Sequence, residues 1–227
     1  MIASRLQLMV PPVNPTPRDD RLRRAQVART EQAIIDAATG LFLARGYTAT
    51  TLASVAEAAQ VGARTVYVRF GTKAALLKRV IDVAIVGDTQ PVDVLGRDPV
   101  RTAMTAPTAA QRITAMASAA RQIMQRAGAL FAVAQEAAAV EPLMTEYWQQ
   151  GRQQTRHVHR VIWTQMTRDD LLEPSCDLDR IIDTSSLLAA AETYLLITRM
   201  LSWDLDAYQA WLRDTLTRIA ADSTRNP

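Results

Sequence analysis

The chain has 227 residues, a mass of 25.0 kDa and a formal net charge of +3, and 48% of its residues are apolar. This length and composition are typical of one or two globular domains, and they argue against a disordered or fibrous chain. The single cysteine, Cys176, excludes an intrachain disulfide framework. Because no apolar run approaches about 18 residues, we expect no membrane span, no signal peptide and a cytoplasmic location.

Positive charge is concentrated in the N-terminal third of the sequence. Residues 1–80 contain 12 Lys and Arg against 5 Asp and Glu, whereas residues 81–227 contain 14 against 18. A basic segment joined to a mildly acidic remainder is typical of a chain that meets a polyanion at one end. Uneven solvated charge explains the same numbers, so charge alone leaves both interpretations open.

The N-terminal part of the chain is predicted to be a flexible basic arm followed by four helices. Residues 1–28 contain four prolines and a cluster of arginines, which favours the arm. From Thr30, apolar residues recur at helical spacing, which predicts a first helix that ends at Gly46. The same periodicity and a series of candidate caps predict three more helices, at about 52–59, 63–70 and 73–87.

The C-terminal part is predicted to be helical after a loop at residues 87–107. Helices are expected at about 108–126, 128–139, 142–168, 178–202 and 207–222, with caps at Thr108, Asp177 and Asp206 and with Pro142 in a first turn. The sequence contains no alternating strand pattern and no hairpin signal. The predicted fold class is therefore all-α.

Residues 50–70 have the spacing of a helix-turn-helix. Such a unit needs a short helix, a tight turn and a second helix whose outer face is free for the major groove of DNA. Small and medium apolar residues from Val55 to Val66 are expected to pack the two helices together. The outer face of the second helix then carries Arg64, Thr65, Val68 and Arg69. This basic and polar face favours DNA binding over a generic helical pair.

Between Thr30 and Leu77, over nearly fifty positions, residues of many chemical classes occur together in one specific pattern of spacings. They are Ala37, Ala38, Leu41, Phe42, Gly46, Tyr47, Thr50, Thr51, Ala56, Ala59, Val61, Thr65, Val66, Tyr67, Phe70, Lys73 and Leu76. In this combination the stretch resembles the DNA-binding region of the TetR family of transcriptional regulators. The resemblance implies a helix-turn-helix domain at residues 29–77 and a helical domain for effector binding and dimerisation at residues 78–227.

The resemblance also implies the partners and the DNA contacts. The chain is expected to be a homodimer that binds a palindromic operator in double-stranded DNA, to have no enzymatic activity, and to be a repressor released by a small molecule. The expected DNA contacts are Thr50, Thr51, Gly62, Ala63, Arg64, Thr65, Tyr67, Val68, Arg69 and Lys73. No cofactor is expected.

Three residues depart from the family pattern. Gln60 stands where the family commonly has the turn glycine, and Gly62 replaces the usual hydroxyl cap of the recognition helix. A non-glycine residue forced to positive φ costs about 1 kcal/mol, so the turn is expected to be slightly reshaped. Arg64 replaces a small residue, and our hypothesis is that it reads a guanine edge or contacts a phosphate.

The C-terminal helices contain the expected dimer surface and effector pocket. The predicted helix at 178–202 is apolar on nearly every side. One side can pack on the core of its own subunit, and a partner subunit is the simplest way to bury the other side. The expected dimer residues are Leu187, Leu188, Ala191, Tyr194, Leu195, Leu201 and Trp211. The expected pocket residues, for a small hydrophobic or amphipathic effector, are Met124, Phe131, Gln135, Met144, Trp148, Arg152, Trp163 and Tyr194.

The sequence lacks the usual signals of catalysis and metal binding. His157 and His159 are two residues apart, so on a helix they diverge and cannot share a metal. Cys176 is interpreted as a spectator thiol, and no phosphate-binding loop or nucleophile elbow is present. Two alternatives stay open: a helical ligand-binding protein or enzyme whose N-terminal helices only resemble the motif, and a DNA-binding regulator without a small-molecule effector.

Overall fold

The computed structural model describes residues 17–88 and 94–222, and the regular structure within these ranges is helical. The helices are α1 (Pro17–Ala49), α2 (Leu52–Ala58), α3 (Ala63–Phe70), α4 (Lys73–Val86), α5 (Asp98–Thr105), α6 (Ala109–Ala138), α7 (Pro142–Arg168), α8 (Leu178–Leu188), α9 (Ala191–Leu201) and α10 (Leu205–Asp222). A short 3-10 turn at Val94–Gly96 precedes α5. The predicted all-α fold class is confirmed.

The 30-residue helix α6 lies at the centre of the molecule and contacts α1, α4, α5, α7, α9 and α10. Its buried surface is rich in alanine, at Ala117, Ala127, Ala134 and Ala137. Small side chains let neighbouring helices approach closely, and burial of their larger apolar side chains supplies the main stabilisation. The core of the molecule therefore forms around α6.

Helices α1 and α4 support the helix-turn-helix formed by α2 and α3. Leu76, Leu77 and Val80 of α4 are completely or almost completely buried, and α4 packs against both α1 and α6. Only Gly71 and Thr72 separate α3 from α4. The position of α3 is therefore determined by two helices that are themselves seated on α6.

Most of the predicted helix starts are confirmed by their capping contacts. The side chains of Thr108 and Asp177 accept hydrogen bonds from backbone N–H groups in the first turns of α6 and α8. The prediction for Asp206 is wrong, because Asp204 accepts the N–H of Ala207 at 2.8 Å and begins α10. Asp206 instead forms an ion pair with Arg121 at 2.8 Å.

Two segments that were expected to lack regular structure are helical. α1 begins at Pro17 rather than near Thr30, so the predicted flexible arm is wrong for residues 17–28, and residues 1–16 lie outside the described residues. Proline suits the first turn of a helix, and the Arg, Leu, Ala and Gln residues that follow it are strong helix formers. The predicted loop at 87–107 contains α5, which buries Val100 and Ala103 one turn apart.

The predicted break between helices at residue 127 is also wrong, since α6 runs without interruption through this position and through Gly128. The ring of Tyr194 lies against this glycine, and a Cβ placed there would be 2.7 Å from Cε1 of Tyr194. Gly128 therefore serves a close contact between α6 and α9 rather than a helix end.

The helix predicted at 178–202 is divided into α8 and α9 at Ala189–Ala190, with a bend of 50°. The break contains neither proline nor glycine, so composition gave no signal for it. Of the helices that the structure describes, none is long and apolar enough by itself to cross a membrane. The bent pair of α8 and α9 reaches that length and composition only when the two are joined.

We expect Gly128→Ala to lower the free energy of unfolding by about 1 to 2 kcal/mol, because the added methyl group overlaps the Tyr194 ring. The matched control is Gly151→Ala in α7, where nothing lies within 4 Å of the added Cβ. This control should raise stability by about 0.5 to 1 kcal/mol through helix propensity alone. Urea unfolding measures both variants, and equal stabilisation by the two would contradict the close contact.

Candidate nucleic-acid interface and internal cavity

The turn between α2 and α3 has the hydrogen bonds of a Schellman motif. The N–H of Val61 donates to the carbonyl of Ala56, and the N–H of Gln60 donates to that of Glu57, both over 3.0 Å. Gln60 has a φ of 55°, the left-handed conformation expected at this position. Since glutamine has a Cβ, this geometry costs about 1 kcal/mol relative to glycine. The turn keeps its shape although the glycine is absent.

The outer face of α3 is open to solvent over two turns. Tyr67 and Val68 have 65% and 72% of their surface exposed, and Arg64 and Thr65 are exposed beside them. Val66 is completely buried on the inner face. Helix α3 therefore presents a cation, a hydroxyl, a phenol and a branched apolar side chain on one surface, a combination suited to the edges of bases and to phosphates.

Arg69 does not project with this face. Its Nη1 lies 3.4 Å from Oε2 of Glu31 in α1, and Arg79 of α4 contacts Oε1 of the same carboxylate at 2.9 Å. Glu31 therefore joins α1, α3 and α4. The expected groove contact by Arg69 is not supported, because a carboxylate from a distant part of the chain holds its guanidinium.

Lys73 is folded back onto α1. Its Nζ donates to the carbonyl of Tyr47 at 2.7 Å and lies 4.1 Å from the centre of the Tyr47 ring. Burial lowers the pKa of Lys73, and the negative charge of Glu141 partly opposes that shift. In this conformation the ammonium stabilises the end of α1, so the predicted phosphate contact requires the side chain to leave these acceptors.

Thr50 is completely buried, and its hydroxyl donates to the carbonyl of Gly46 at 2.8 Å. The expectation that Thr50 contacts DNA is therefore wrong, since its side chain stabilises the end of α1. Thr51 is exposed and begins α2 in a reciprocal capping box with Ser54. Of the two threonines, Thr51 alone lies at the surface.

A cavity of about 590 Å³ lies between α4, α5, α6, α7 and the junction of α8 with α9. Its walls are mainly aliphatic and aromatic, with Ile81 and Ile85 from α4 and Phe131 from α6 among them. The exposed residues Gln150 and Gln154 of α7 mark its open side. A cavity of this size and lining has the properties of a small-molecule binding site.

The buried ring of His159 lines this cavity. Its Nδ1 lies 2.9 Å from Oγ of Ser185, to which the indole N–H of Trp163 also donates over 2.9 Å. Burial lowers the pKa of His159 from 6.5 to about 4, because the charged ring loses its hydration. The imidazole is therefore neutral at physiological pH.

The charged residues that line the cavity form two pairs. Lys78 and Asp82 of α4 are 2.6 Å apart, and the guanidinium of Arg152 contacts Glu192. Glu192 also accepts the indole N–H of Trp148 at 2.7 Å. Each positive charge at the cavity is balanced by a neighbouring carboxylate, so its walls carry no net charge.

Comparison with known protein families gives a match where the helix-turn-helix lies. Residues 34–80 match the model of the "Bacterial regulatory proteins, tetR family". These residues are therefore a DNA-binding domain of the TetR family. The matched residues comprise the second half of α1, all of α2 and α3, and the first half of α4. No protein in the curated collection matches the chain.

Solved structures show that the TetR-family likeness in fold extends over the C-terminal helices. A regulator of this family from Mesorhizobium loti has a TM-score of 0.63 and 16% identity, with 86% of this chain and 96% of that chain covered. One from Rhodococcus sp. has a TM-score of 0.63 and 14% identity, with 85% and 98% covered. NalD from Pseudomonas aeruginosa has a TM-score of 0.56 and 18% identity, with 86% and 96% covered. At these identities the likeness shows the fold alone.

The structure brings five of the eight expected pocket residues to the cavity. They are Met124, Phe131, Met144, Trp148 and Arg152. Gln135 instead accepts a hydrogen bond from Arg199 at 2.9 Å, Trp163 points to Ser185, and Tyr194 packs against Gly128. His159, which also lines the cavity, was not among the eight expected pocket residues.

The expected dimer residues divide by exposure. Leu187 and Leu201 are exposed, whereas Leu188, Ala191, Tyr194 and Trp211 are half-buried. Leu195 is only 5% exposed, so its side chain belongs to the core of the subunit and the expectation for it is wrong. The exposed apolar residues Leu196 and Met200 were not among the expected dimer residues.

We expect the free energy of unfolding to decrease as the pH falls, because the folded protein holds the His159 ring neutral. Because folding lowers the pKa of His159 from 6.5 to about 4, the unfolded chain binds a proton first as the pH falls. The contribution is fully present above pH 6.5 and is lost between pH 6.5 and 4. Between pH 7 and pH 5 the wild-type protein should lose about 2 kcal/mol more unfolding free energy than His159→Gln.

Urea unfolding at a series of pH values measures this difference. The matched control is His157→Gln, which removes an exposed histidine two residues away and should keep the pH dependence of the wild type. Parallel pH profiles for the wild type and His159→Gln would show that the ring is not held neutral by burial.

Proposed function

We propose that this regulator is a cytoplasmic repressor, in which two copies of the chain bind a palindromic operator and an apolar effector in the cavity releases the DNA. The observation that carries the proposal is the exposed face of α3 above a buried Val66. A recognition helix with one face buried and the other bare is positioned for the major groove. The net charge of +7 over residues 1–80 supports the approach to a polyanion.

Arg64 is the residue that we assign to base recognition. It is exposed in the first turn of α3, where recognition helices contact base edges, and arginine binds guanine through two parallel hydrogen bonds. Thr65, Tyr67 and Val68 lie on the same exposed surface and accompany it. Thr51, Gly62 and Ala63 stay predicted contacts around this surface.

A dimer supplies the second recognition helix, because one helix of eight residues buries too little surface for selective binding. The surface that we assign to the dimer contains the exposed apolar residues at the end of α8 and along α9. They are Leu187, Leu196, Met200 and Leu201, with 54% to 72% of their surface exposed. Such a concentration of large apolar residues is typical of a protein interface.

The proposed release by an effector follows from the position of α4. Ile81 and Ile85 of α4 line the cavity, and the other end of α4 is two residues from α3. A molecule in the cavity that fits one position of α4 better than another would shift the population of α3 positions, by no more than its difference in affinity between the two. NalD, which shares this fold, is the secondary repressor of the MexAB-OprM multidrug efflux pump.

Selection of bound sequences from random DNA tests the DNA-binding proposal and should return a palindrome. We then expect Arg64→Ala to lose about 1 to 3 kcal/mol of preference at one base position in each half-site. The matched control is Arg160→Ala in α7, which removes the same charge from an exposed position.

Three outcomes bear on this assignment. Uniform weakening across all sequences, with a smaller salt dependence, would leave Arg64 only a phosphate contact. An effect of Arg64→Ala no greater than that of Arg160→Ala would remove Arg64 from the interface. The absence of any selected sequence would contradict the operator proposal itself.

Sedimentation velocity tests the dimer surface. We expect the double variant Leu196→Glu, Met200→Glu to raise the dimer dissociation constant by about 100-fold or more, because carboxylates buried at an interface cost several kcal/mol. The matched control is Val140→Glu, since Val140 is 70% exposed at the junction of α6 and α7. A double variant that stays dimeric would place the interface elsewhere.

A further inference from the structure

Ser185 determines which ring nitrogen of His159 carries the proton. The indole N–H of Trp163 can only donate, and it donates to Oγ of Ser185. The Ser185 hydroxyl itself donates to the carbonyl of Ile182 at 3.1 Å. With its single proton used there, Oγ accepts from Nδ1 of His159 at 2.9 Å. This assignment satisfies all three contacts, whereas the opposite tautomer satisfies only two.

The other ring nitrogen, Nε2, is then an acceptor without a partner. Among the described residues no side chain or backbone group forms a hydrogen bond with Nε2 of His159. Nε2 is on the side of the ring away from Ser185, and the ring lines the cavity. Burial keeps the ring neutral, so it offers a lone pair and no positive charge. An unpaired acceptor at the wall of the cavity favours a ligand that can donate a hydrogen bond to it.

The paired charges around the cavity disfavour a charged ligand. Lys78 is already paired with Asp82, and Arg152 is already paired with Glu192. An anionic or cationic ligand would enter without a free counter-charge and would lose its hydration. Apolar side chains such as that of Ile81 form most of the remaining cavity wall.

We propose that the cavity ligand is a neutral, largely apolar molecule with a hydroxyl group that donates a hydrogen bond to Nε2 of His159. The class includes alkylphenols and hydrophobic alcohols of a size suited to the 590 Å³ cavity. His159 is then the residue that selects a hydroxylated ligand over its ether analogue. This inference rests on the proposed effector role of the cavity, and it names the chemistry of the molecule that acts there.

Four probes with the same alkyl chain test the ligand class: 4-octylphenol, 4-octylanisole, 4-octylbenzoate and 4-octylbenzylammonium. Calorimetric titration of the full chain without DNA gives their affinities. We expect the phenol to bind about tenfold more tightly than the anisole, the difference that one neutral hydrogen bond supplies. The two charged probes should bind at least about 100-fold more weakly than the phenol.

Two variants at one position separate hydrogen bonding from shape. His159→Phe retains a ring without an acceptor, so the phenol and the anisole should bind to it equally well. His159→Gln offers a carbonyl oxygen and should recover part of the preference for the phenol. An unchanged preference in His159→Phe would overturn the assignment, as would equal affinities for the two probes in the wild type or the failure of every probe to bind.

A measurement on the wild-type protein avoids any folding defect of the variants. Nitrogen-15 spectra distinguish protonated from unprotonated ring nitrogens, and the chain contains only one other histidine, His157. We expect Nδ1 of His159 to be protonated and Nε2 to be free of a proton. A proton on Nε2 would overturn the proposal.

Operator release, measured separately with the same probes, distinguishes this inference from the function on which it rests. If the phenol is preferred but the operator stays bound, the ligand class stands and the effector role fails. If a charged probe releases the operator, the effector role stands and the ligand class is wrong.

Discussion

The burial of α6 on several sides is the constraint on which the rest of the molecule depends. Six helices pack against it, and its buried alanines and Gly128 let some of them approach closely. The contact between Gly128 and Tyr194 is the closest example, since no Cβ fits there. Dense packing of this kind transmits displacement, because interiors have few voids to absorb it. Helix α6 is therefore the common base for the helix-turn-helix support and for the cavity.

Local capping chemistry made much of the fold predictable from the sequence. Thr51, Thr72, Thr108 and Asp177 each accept a backbone N–H at a predicted helix start, and such contacts involve only residues three apart. The errors arose where tertiary contacts override local signals. A break was predicted at residue 127, where α6 in fact continues through Gly128 and accommodates a ring from α9. The Ala189–Ala190 break has no sequence marker.

The candidate site residues were likewise predictable only where local sequence determines their position. The exposed face of α3 was predictable, because amphipathic spacing alone decides which side of a short helix is bare. The positions of Arg69 and Lys73 were not, since their acceptors, Glu31 and the carbonyl of Tyr47, are 38 and 26 residues away in sequence. The hydrogen bond that orients the His159 ring was not predictable either, because its partner, Ser185, is 26 residues later.

Arg126 of α6 holds one end of α4, so that a tilt of α4 displaces mainly its other end. Its guanidinium donates to the carbonyls of Ala84 and Ile85 at 2.9 and 2.7 Å and so holds the cavity end of α4 against α6. The 14 residues of α4 form a rod of about 21 Å. A tilt of about 5° around the held end moves the other end by about 2 Å, given the helical rise. Hydrogen bonds tolerate about 0.5 Å, so under the proposed binding mode a small tilt of α4 is enough to misalign α3 with a base edge.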